Sequence, residues 1–246
     1  MNKKHIDIVL PCYLSPSDWK ELIIEAFEAL SNLLPQWSIQ FIMVNDGDPK
    51  ISQEDFDFLG AKVPGFIGIS LEKNMGKGYA VRKGMEISTS DHVIYTDIEF
   101  PYTYQSIYKM VKLLGENNID IVIGQRAIVP ENITIPYNRK IISKCLRNFN
   151  KLFIHKSITD TQCGLKGMNQ KGKEILLNTT TNRYSFDIEF ILQAKKESEI
   201  VMKPMSIALS TRVAFSNVSL LTLFKESLSL LHILFKNLFS KYERAK

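Results

Sequence analysis

Residues 92–99 read His92-Val-Ile-Tyr-Thr-Asp-Ile-Glu99, a short apolar run that breaks off into acids. A run of this length, with β-branched residues and a polar end, is the pattern of a buried strand. The same design recurs at Ile6–Leu10, closed by Pro11, and at Ile39–Val44, closed by the turn cluster Asn45-Asp-Gly-Asp-Pro49. Further strands are expected at Phe66–Leu71 and Asp120–Gly124. Helical spacings lie between them. From Asp18 to Leu34 the apolar positions are Trp19, Leu22, Ile23, Ala26, Phe27 and Leu30, with Ser15-Pro16 as a start signal. Gly78 to Ile87 and Tyr104–Leu114 follow the same rule. Strands alternating with helices predict an α/β fold, with a Rossmann-like, doubly wound, mostly parallel sheet flanked by helices.

The remainder is less regular. Helices are expected at 139–155, Lys171–Leu177 and Asp187–Ala194, a short strand or turn at Leu165–Met168, and extended chain at Ile200–Leu209. No linker splits residues 1–214, which are taken as one domain. Residues 215–246 form an expected amphipathic basic helix. Its apolar stripe runs from Leu220 through Phe224, Leu228, Leu231 and Phe235 to Phe239, and Lys236, Lys241, Arg244 and Lys246 accompany its end. A Leu/Phe stripe packs against a core or lies on a membrane surface. Its width and the trailing cations favour a membrane surface or an oligomer contact.

Composition sets outer limits. The 246 residues are 45% hydrophobic and 23% charged, which excludes disordered and fibrous classes. Lys+Arg of 31 against Asp+Glu of 26 leaves a net charge of +5. An anionic partner fits that balance, but no long basic block precedes the C-terminal region, so nucleic acid is not expected. Cys12, Cys145 and Cys163 form no CxxC and leave an odd thiol, which points to a reducing compartment. No signal-peptide pattern and no apolar stretch near the ~18–20 residues of a membrane span are read, so the expected location is cytoplasmic, peripheral at most on the cytoplasmic membrane face.

In an open α/β sheet ligands bind beyond the carboxyl ends of the strands, so the residues just after each strand carry the chemistry. Asp97 and Glu99, two apart at a strand end, are expected on one face of it, where two hard oxygen ligands suit Mg²⁺ or Mn²⁺. Asp46 either binds a nucleotide's base amide or ribose hydroxyl, or caps its own turn. The stretch Asn74-Met-Gly-Lys-Gly-Tyr-Ala-Val-Arg-Lys-Gly84 is basic, punctuated by glycine and opens a helix, which suits phosphate. It fits neither the P-loop nor the dinucleotide fingerprint. Arg126 and Arg139 flank a segment that would overhang the site, and arginine grips phosphate in a fork. Asp187 is either an N-cap or a general base. The histidines lack zinc spacing, and no G-x-S-x-G elbow is present.

Seven segments, in order, resemble the family-2 glycosyltransferases of the GT-A fold, nearest the dolichyl-phosphate glucosyltransferases and dolichol-phosphate mannose synthases. They are Ile8-Val-Leu-Pro-Cys-Tyr13, Val44-Asn-Asp-Gly47, Asn74-x-Gly-Lys-Gly-x-Ala-Val-Arg-x-Gly-Met85, Thr96-Asp-x-Glu99, Gly124-x-Arg126, Asp160-Thr-Gln-Cys-Gly-Leu-Lys166 and Arg183-x-x-Phe-Asp-x-Glu189. The resemblance implies inverting transfer of a hexose from a nucleotide sugar, UDP-glucose favoured over GDP-mannose, to a polyprenyl-phosphate or glycan acceptor. It implies that Pro11, Tyr13, Asp46, Asn74, Lys77, Arg82 and Asp97 line or support the nucleotide pocket, and that Asp97 and Glu99 hold the metal. Arg126, Arg139 and Gln162 would face acceptor or phosphates, and Asp187, Asp97 and Arg126 would be catalytic. Departures are Ser15 and Asn45 where the family has acids, Glu99 for the second Asp, and Leu209-Ser-Thr-Arg-Val213 in place of the family's H-x-x-G-S-K-V. A catalytically decayed nucleotide-sugar-binding scaffold and a sugar-phosphate nucleotidylyltransferase are the alternatives. The latter would want a G-x-G-T-R loop where Pro11-Cys-Tyr-Leu14 stands.

Overall fold

The computed structural model describes residues 3–116, 118–128 and 157–212. Its strands are β1 (Lys4–Cys12), β2 (Trp37–Asn45), β3 (Ile67–Ser70), β4 (His92–Tyr95), β5 (Ile121–Ile128), β6 (Lys166–Asn169) and β7 (Met202–Ala208). Its helices are α1 (Trp19–Leu33), α2 (Gln53–Lys62), α3 (Lys77–Ile87), α4 (Tyr104–Leu114), α5 (Gln170–Leu177) and α6 (Phe186–Ala194). The strands form one seven-stranded sheet in the order β3-β2-β1-β4-β6-β5-β7. All pairings are parallel except those of β6, which runs antiparallel to β4 and to β5.

The pleat sorts the sequence into two cores. Ile6, Ile8 and Leu10 of β1 point to one face with Ile39, Phe41 and Met43 of β2, while Val9 and Ile42 point to the other. The buried stripes of α1 and α4 cover the first face, and Val81 and Met85 of α3 with Phe186, Phe190 and Ile191 of α6 cover the second. The sheet is therefore doubly wound, as expected.

One element departs from the expectation. Helix α2 occupies residues assigned only to the passage between the second and third strands. Its buried residues are just Phe56 and Leu59, too thin a stripe to announce a helix. What starts it is a capping box: Ser52 Oγ accepts from Asp55 N, and the Asp55 carboxylate accepts from Ser52 N at 2.9 Å. Its acid is Asp rather than the usual Glu or Gln. Residues 139–155 and 215–246, both expected to be helical, lie outside the described residues. Among those described, no helix is long and apolar enough to cross a membrane.

Register positions the site. Cys12 is level with Asn45, and Val9 with Tyr95, so β1, β2 and β4 release their chains at one edge. Because β6 is antiparallel, Lys166 lies beside Tyr95 at that same edge. Residues 157–165 thus arrive over the carboxyl ends of the parallel strands.

Candidate active site

The first wall is the turn after β2. Asn45 makes an Asx turn: its side-chain oxygen accepts from Asp48 N at 2.7 Å and its amide donates to Asp48 O at 3.0 Å. Asp48 accepts from Ser15 N at 3.1 Å and from Lys50 N at 3.0 Å. Burial works to raise its pKa, but these donors hold it below the usual range. Ser15, standing where the family has an acid, is thus a donor to Asp48. Asp46 is 2% exposed, and its two oxygens accept from Met75 N at 2.7 Å and Gly76 N at 2.8 Å. Of the two roles left open for Asp46, the structure shows it clamping a loop, the one ahead of α3 rather than its own turn. Burial lifts its carboxyl above the ordinary value despite those bonds.

The acids after β4 do not continue the strand. The strand stops at Tyr95, and Asp97 to Phe100 form a turn closed by Phe100 N donating to Asp97 O at 3.0 Å. Ile98 is buried in the core between the two acids, and Phe100 takes a φ of 44°. Leu14, at 56°, is the other non-glycine residue with positive φ among those described. Such conformations cost of order 1–3 kcal/mol and gather at functional sites. The expectation that strand alternation aligns Asp97 with Glu99 is therefore corrected: a turn carries them. Glu99 is exposed at the rim, yet partial desolvation and then the Asp97 charge raise its pKa.

Lys77, the first residue of α3, donates from Nζ to Asp97 Oδ1. The Lys77 and Asp97 side chains are 19% and 31% exposed. Gly164 closes over this pair. A Cβ on it would lie 2.6 Å from Asp97 Oδ2 and 3.3 Å from Lys77 Nζ, so only glycine leaves that carboxylate clear. Gly164 N is held by the Tyr102 hydroxyl at 2.8 Å.

Asp187 sits deeper. It is 3% exposed, and its Oδ1 accepts from the Tyr95 hydroxyl and, at 2.5 Å, from Lys166 Nζ. Lys166 is fully buried and also donates to Cys163 O at 2.6 Å. Asp187 is not the N-cap of α6, which is Ser185.

Glu189, two residues on, turns the other way. It accepts from Thr180 N at 3.1 Å, Thr181 N at 2.7 Å and the Thr180 hydroxyl at 3.0 Å. Burial opposes its charge, but these donors carry its pKa below the usual range. Arg82 fastens the same loop, donating to Thr181 O at 2.8 Å and to the Asn182 side chain. Asn182 O in turn accepts from Gly78 N at 2.7 Å and Tyr79 N at 3.3 Å. The α3 N-terminus, expected to suit phosphate, thus has these first donors filled by protein. Arg82 supports this loop rather than lining an open pocket.

Arg126 forks onto Asp160, with Nε to Oδ2 at 2.6 Å and Nη2 to Oδ1 at 2.8 Å. Burial would lower its pKa, but the Asp160 partner raises it. A third of its side chain, 34%, is still exposed. Tyr13 and Asn74 are exposed, Pro11 is buried and Gln162 is half-buried. Arg139 lies outside the described residues.

Asp97, Glu99, Lys77 and Gly164 are therefore brought together at one edge, with Asp187 and Lys166 beneath. Among the described residues no group of three or more His, Cys, Asp or Glu is arranged to hold a metal ion. Two hard carboxylates on an open turn, with Asp97 Oδ2 cleared by Gly164, fit Mg²⁺ or Mn²⁺, ions that keep waters and take substrate phosphate oxygens for their other positions. Sequence reasoning left Lys166, Tyr95, Tyr102 and Gly164 without roles. The lysine in the expected strand Leu165–Met168 was the available clue, since a buried charge demands a partner.

The chain matches the family model for "Glycosyl transferase family 2" over residues 7–176. It is 26% identical to the human dolichyl-phosphate beta-glucosyltransferase, covering 78% of this chain and 63% of that protein. To the glycosyltransferase AglD of Haloferax volcanii it is 22% identical, covering 78% of this chain and 31% of that protein. The chain thus spans between about a third and two-thirds of these relatives' lengths. Among solved structures it resembles glucosyl-3-phosphoglycerate synthase from Mycobacterium tuberculosis in complex with Mg²⁺ and uridine diphosphate, with a TM-score of 0.66 and 15% identity over 95% of this chain and 79% of that one. It also resembles mannosyl-3-phosphoglycerate synthase from Rubrobacter xylanophilus, with a TM-score of 0.69 and 14% identity over 97% and 75% of the two chains. These structural likenesses show the fold. The fold is of the GT-A type, and the chain belongs to glycosyl transferase family 2.

Proposed function

We propose that this chain moves a hexose, glucose by preference, from a uridine diphosphate sugar to a polyprenyl phosphate, with inversion, using Mg²⁺ or Mn²⁺ held by Asp97 and Glu99. The donor preference leans on relatives named as dolichyl-phosphate beta-glucosyltransferases and on fold neighbours holding uridine diphosphate. The observation that carries the acceptor class is the contrast between the open Asp97–Glu99 turn and the pinned Asp187, 3% exposed. A sugar hydroxyl needs a base to take its proton as it attacks. A phosphate monoester, with a second pKa near ~6, arrives already ionised and needs none. Asp187 then acts as a fixed countercharge to Lys166, not as the base the sequence suggested.

The divalent ion, when bound, neutralises the charge growing on the leaving diphosphate. Lys77 adds positive charge at the same edge, and Arg126 offers the exposed part of its guanidinium to phosphate oxygens. Asp46 and Arg82 keep the two loops that frame the nucleotide in place. Residues 215–246 supply contact with the membrane surface where the lipid acceptor resides. The scaffold alternative predicts no turnover, and the nucleotidylyltransferase alternative finds no support in the family match.

The test is a screen of donor hydrolysis across sugar nucleotides with Mn²⁺, followed by transfer to a polyprenyl phosphate or to free sugars. Hydrolysis of UDP-glucose and transfer to the lipid phosphate are expected. Transfer to free hydroxyls at an equal rate refutes the acceptor class, and full activity of Asp97→Ala removes the metal assignment. Liposome sedimentation with and without residues 215–246 tests the membrane contact.

A further inference from the structure

We infer that Lys77 is an internal stand-in for the divalent ion, holding Asp97 in the nucleotide-free protein and released from it only when a diphosphate arrives to receive its ammonium. The inference rests on the proposed metal position at Asp97.

Four features support it. First, Lys77 Nζ donates to Asp97 Oδ1, so a unit positive charge already lies on the carboxylate that the metal needs. Second, Lys77 opens α3, where the helix dipole disfavours a cation, so the ammonium depends on a nearby anion. Third, the charges facing it from neighbouring elements are Asp97, Asp187 and Glu99, with the Tyr184 phenol beside them, and Glu99 is itself committed to the ion once the ion binds. Asp187 already has its Oδ1 on Lys166 and Tyr95, so it cannot offer Lys77 an equal replacement. Fourth, the backbone below Lys77 is fixed: Gly76 N is bound to Asp46, and Gly78 N to Asn182 O. Only the four-carbon stem is left to move.

Once the ion takes Asp97 and Glu99, the anion left to receive Lys77 comes from outside the protein, and the donor's diphosphate is one. Metal and nucleotide then favour each other. The ion finds Asp97 free once phosphate holds Lys77, and phosphate binds better once the ion is in place. The coupling is reciprocal by thermodynamic necessity.

The experiment is a titration of the full chain with Mn²⁺, read as loss of the free-ion electron paramagnetic resonance signal, with and without uridine diphosphate. Wild type is expected to bind Mn²⁺ about tenfold more tightly with the nucleotide than without it. Lys77→Met and Lys77→Gln are expected to bind Mn²⁺ about tenfold more tightly than wild type when no nucleotide is present, and to show a correspondingly smaller gain from it. Lys77→Arg, keeping the charge, should behave like wild type. Mn²⁺ affinity in wild type that is indifferent to the nucleotide overturns the inference without any variant. So does Asp97-dependent binding that neither neutral variant tightens. A different result, Mn²⁺ binding retained in Asp97→Asn, overturns the metal position itself, which separates the two failures.

Discussion

The tripeptide Asp-Ile-Glu occurs at 97–99 and again at 187–189, and the two copies have opposite fates. The first lies in a turn, with Asp97 partly open and Glu99 exposed. The second lies in the first turn of α6, with both acids 3% exposed. In both, the isoleucine is buried. What differs is the backbone. Residues two apart on a helix point about 200° away from each other, so Asp187 meets Tyr95 and Lys166 while Glu189 meets the 180–181 backbone. In the turn, both acids stay near enough for one charge to raise the other's pKa. Identical chemistry thus becomes an open pair, the proposed metal ligands, in one place and two structural fasteners in the other.

The largest effect that sharpens this contrast is expected from Asp97→Asn. Transfer should fall by about a thousandfold, roughly 4 kcal/mol of barrier, with little change in melting temperature. A drop of several degrees without loss of rate would make the first pair structural as well. Asp187→Asn should do the reverse. It strands the buried Lys166 charge, and chemical denaturation should show a loss of about 3–5 kcal/mol. Adding Lys166→Met should restore much of that, and a double variant no better than the single one would mean that the pair is not what holds the region.

Glu189→Gln is expected to cost about 1–2 kcal/mol, because an amide accepts the same N–H groups without the charge. Its pH dependence has a definite sign. The folded pKa of Glu189 is depressed, so its contribution is fully present above the ordinary Glu value of ~4.3 and is lost as pH falls through the lower folded value. The stability gap between wild type and Glu189→Gln should therefore be flat at neutral pH and narrow in acid; a gap that widens on acidification contradicts the assignment. The smallest change is Glu99→Gln, at about tenfold in rate and in Mn²⁺ affinity, since Asp97 keeps its place and Glu99 reaches in from the rim.

The sequence pattern went far on the first half because its elements are local. The strands announce themselves, though β1 runs past Pro11 to Cys12 instead of being closed by it, and so do the stripes of α1 and α4. The shortfalls have physical causes. Helix α2 buries too little to show a period. The strand rule fails for Asp97 and Glu99 because β4 ends at Tyr95 and a turn closed by Phe100 N on Asp97 O follows. Asp187 gives no local sign of its ion pair. Its partner Lys166 is 21 residues away and reaches it only through an antiparallel strand that no local pattern specifies. Arg82 and Asp46 brace loops distant in the chain, a role set by tertiary contacts alone.

The antiparallel course of β6 has a consequence for how such a chain diversifies. β5 leaves the sheet at the working edge and β6 re-enters at that edge, and the Arg126–Asp160 fork ties the two ends of the excursion together. Any length of polypeptide inserted between them leaves and re-enters the sheet on the side of the proposed site, while the strands beneath keep their register. Since closing a longer loop costs little more than closing a short one, this port lets a lineage or an engineer exchange what is recognised above the sheet without rebuilding the machinery below it.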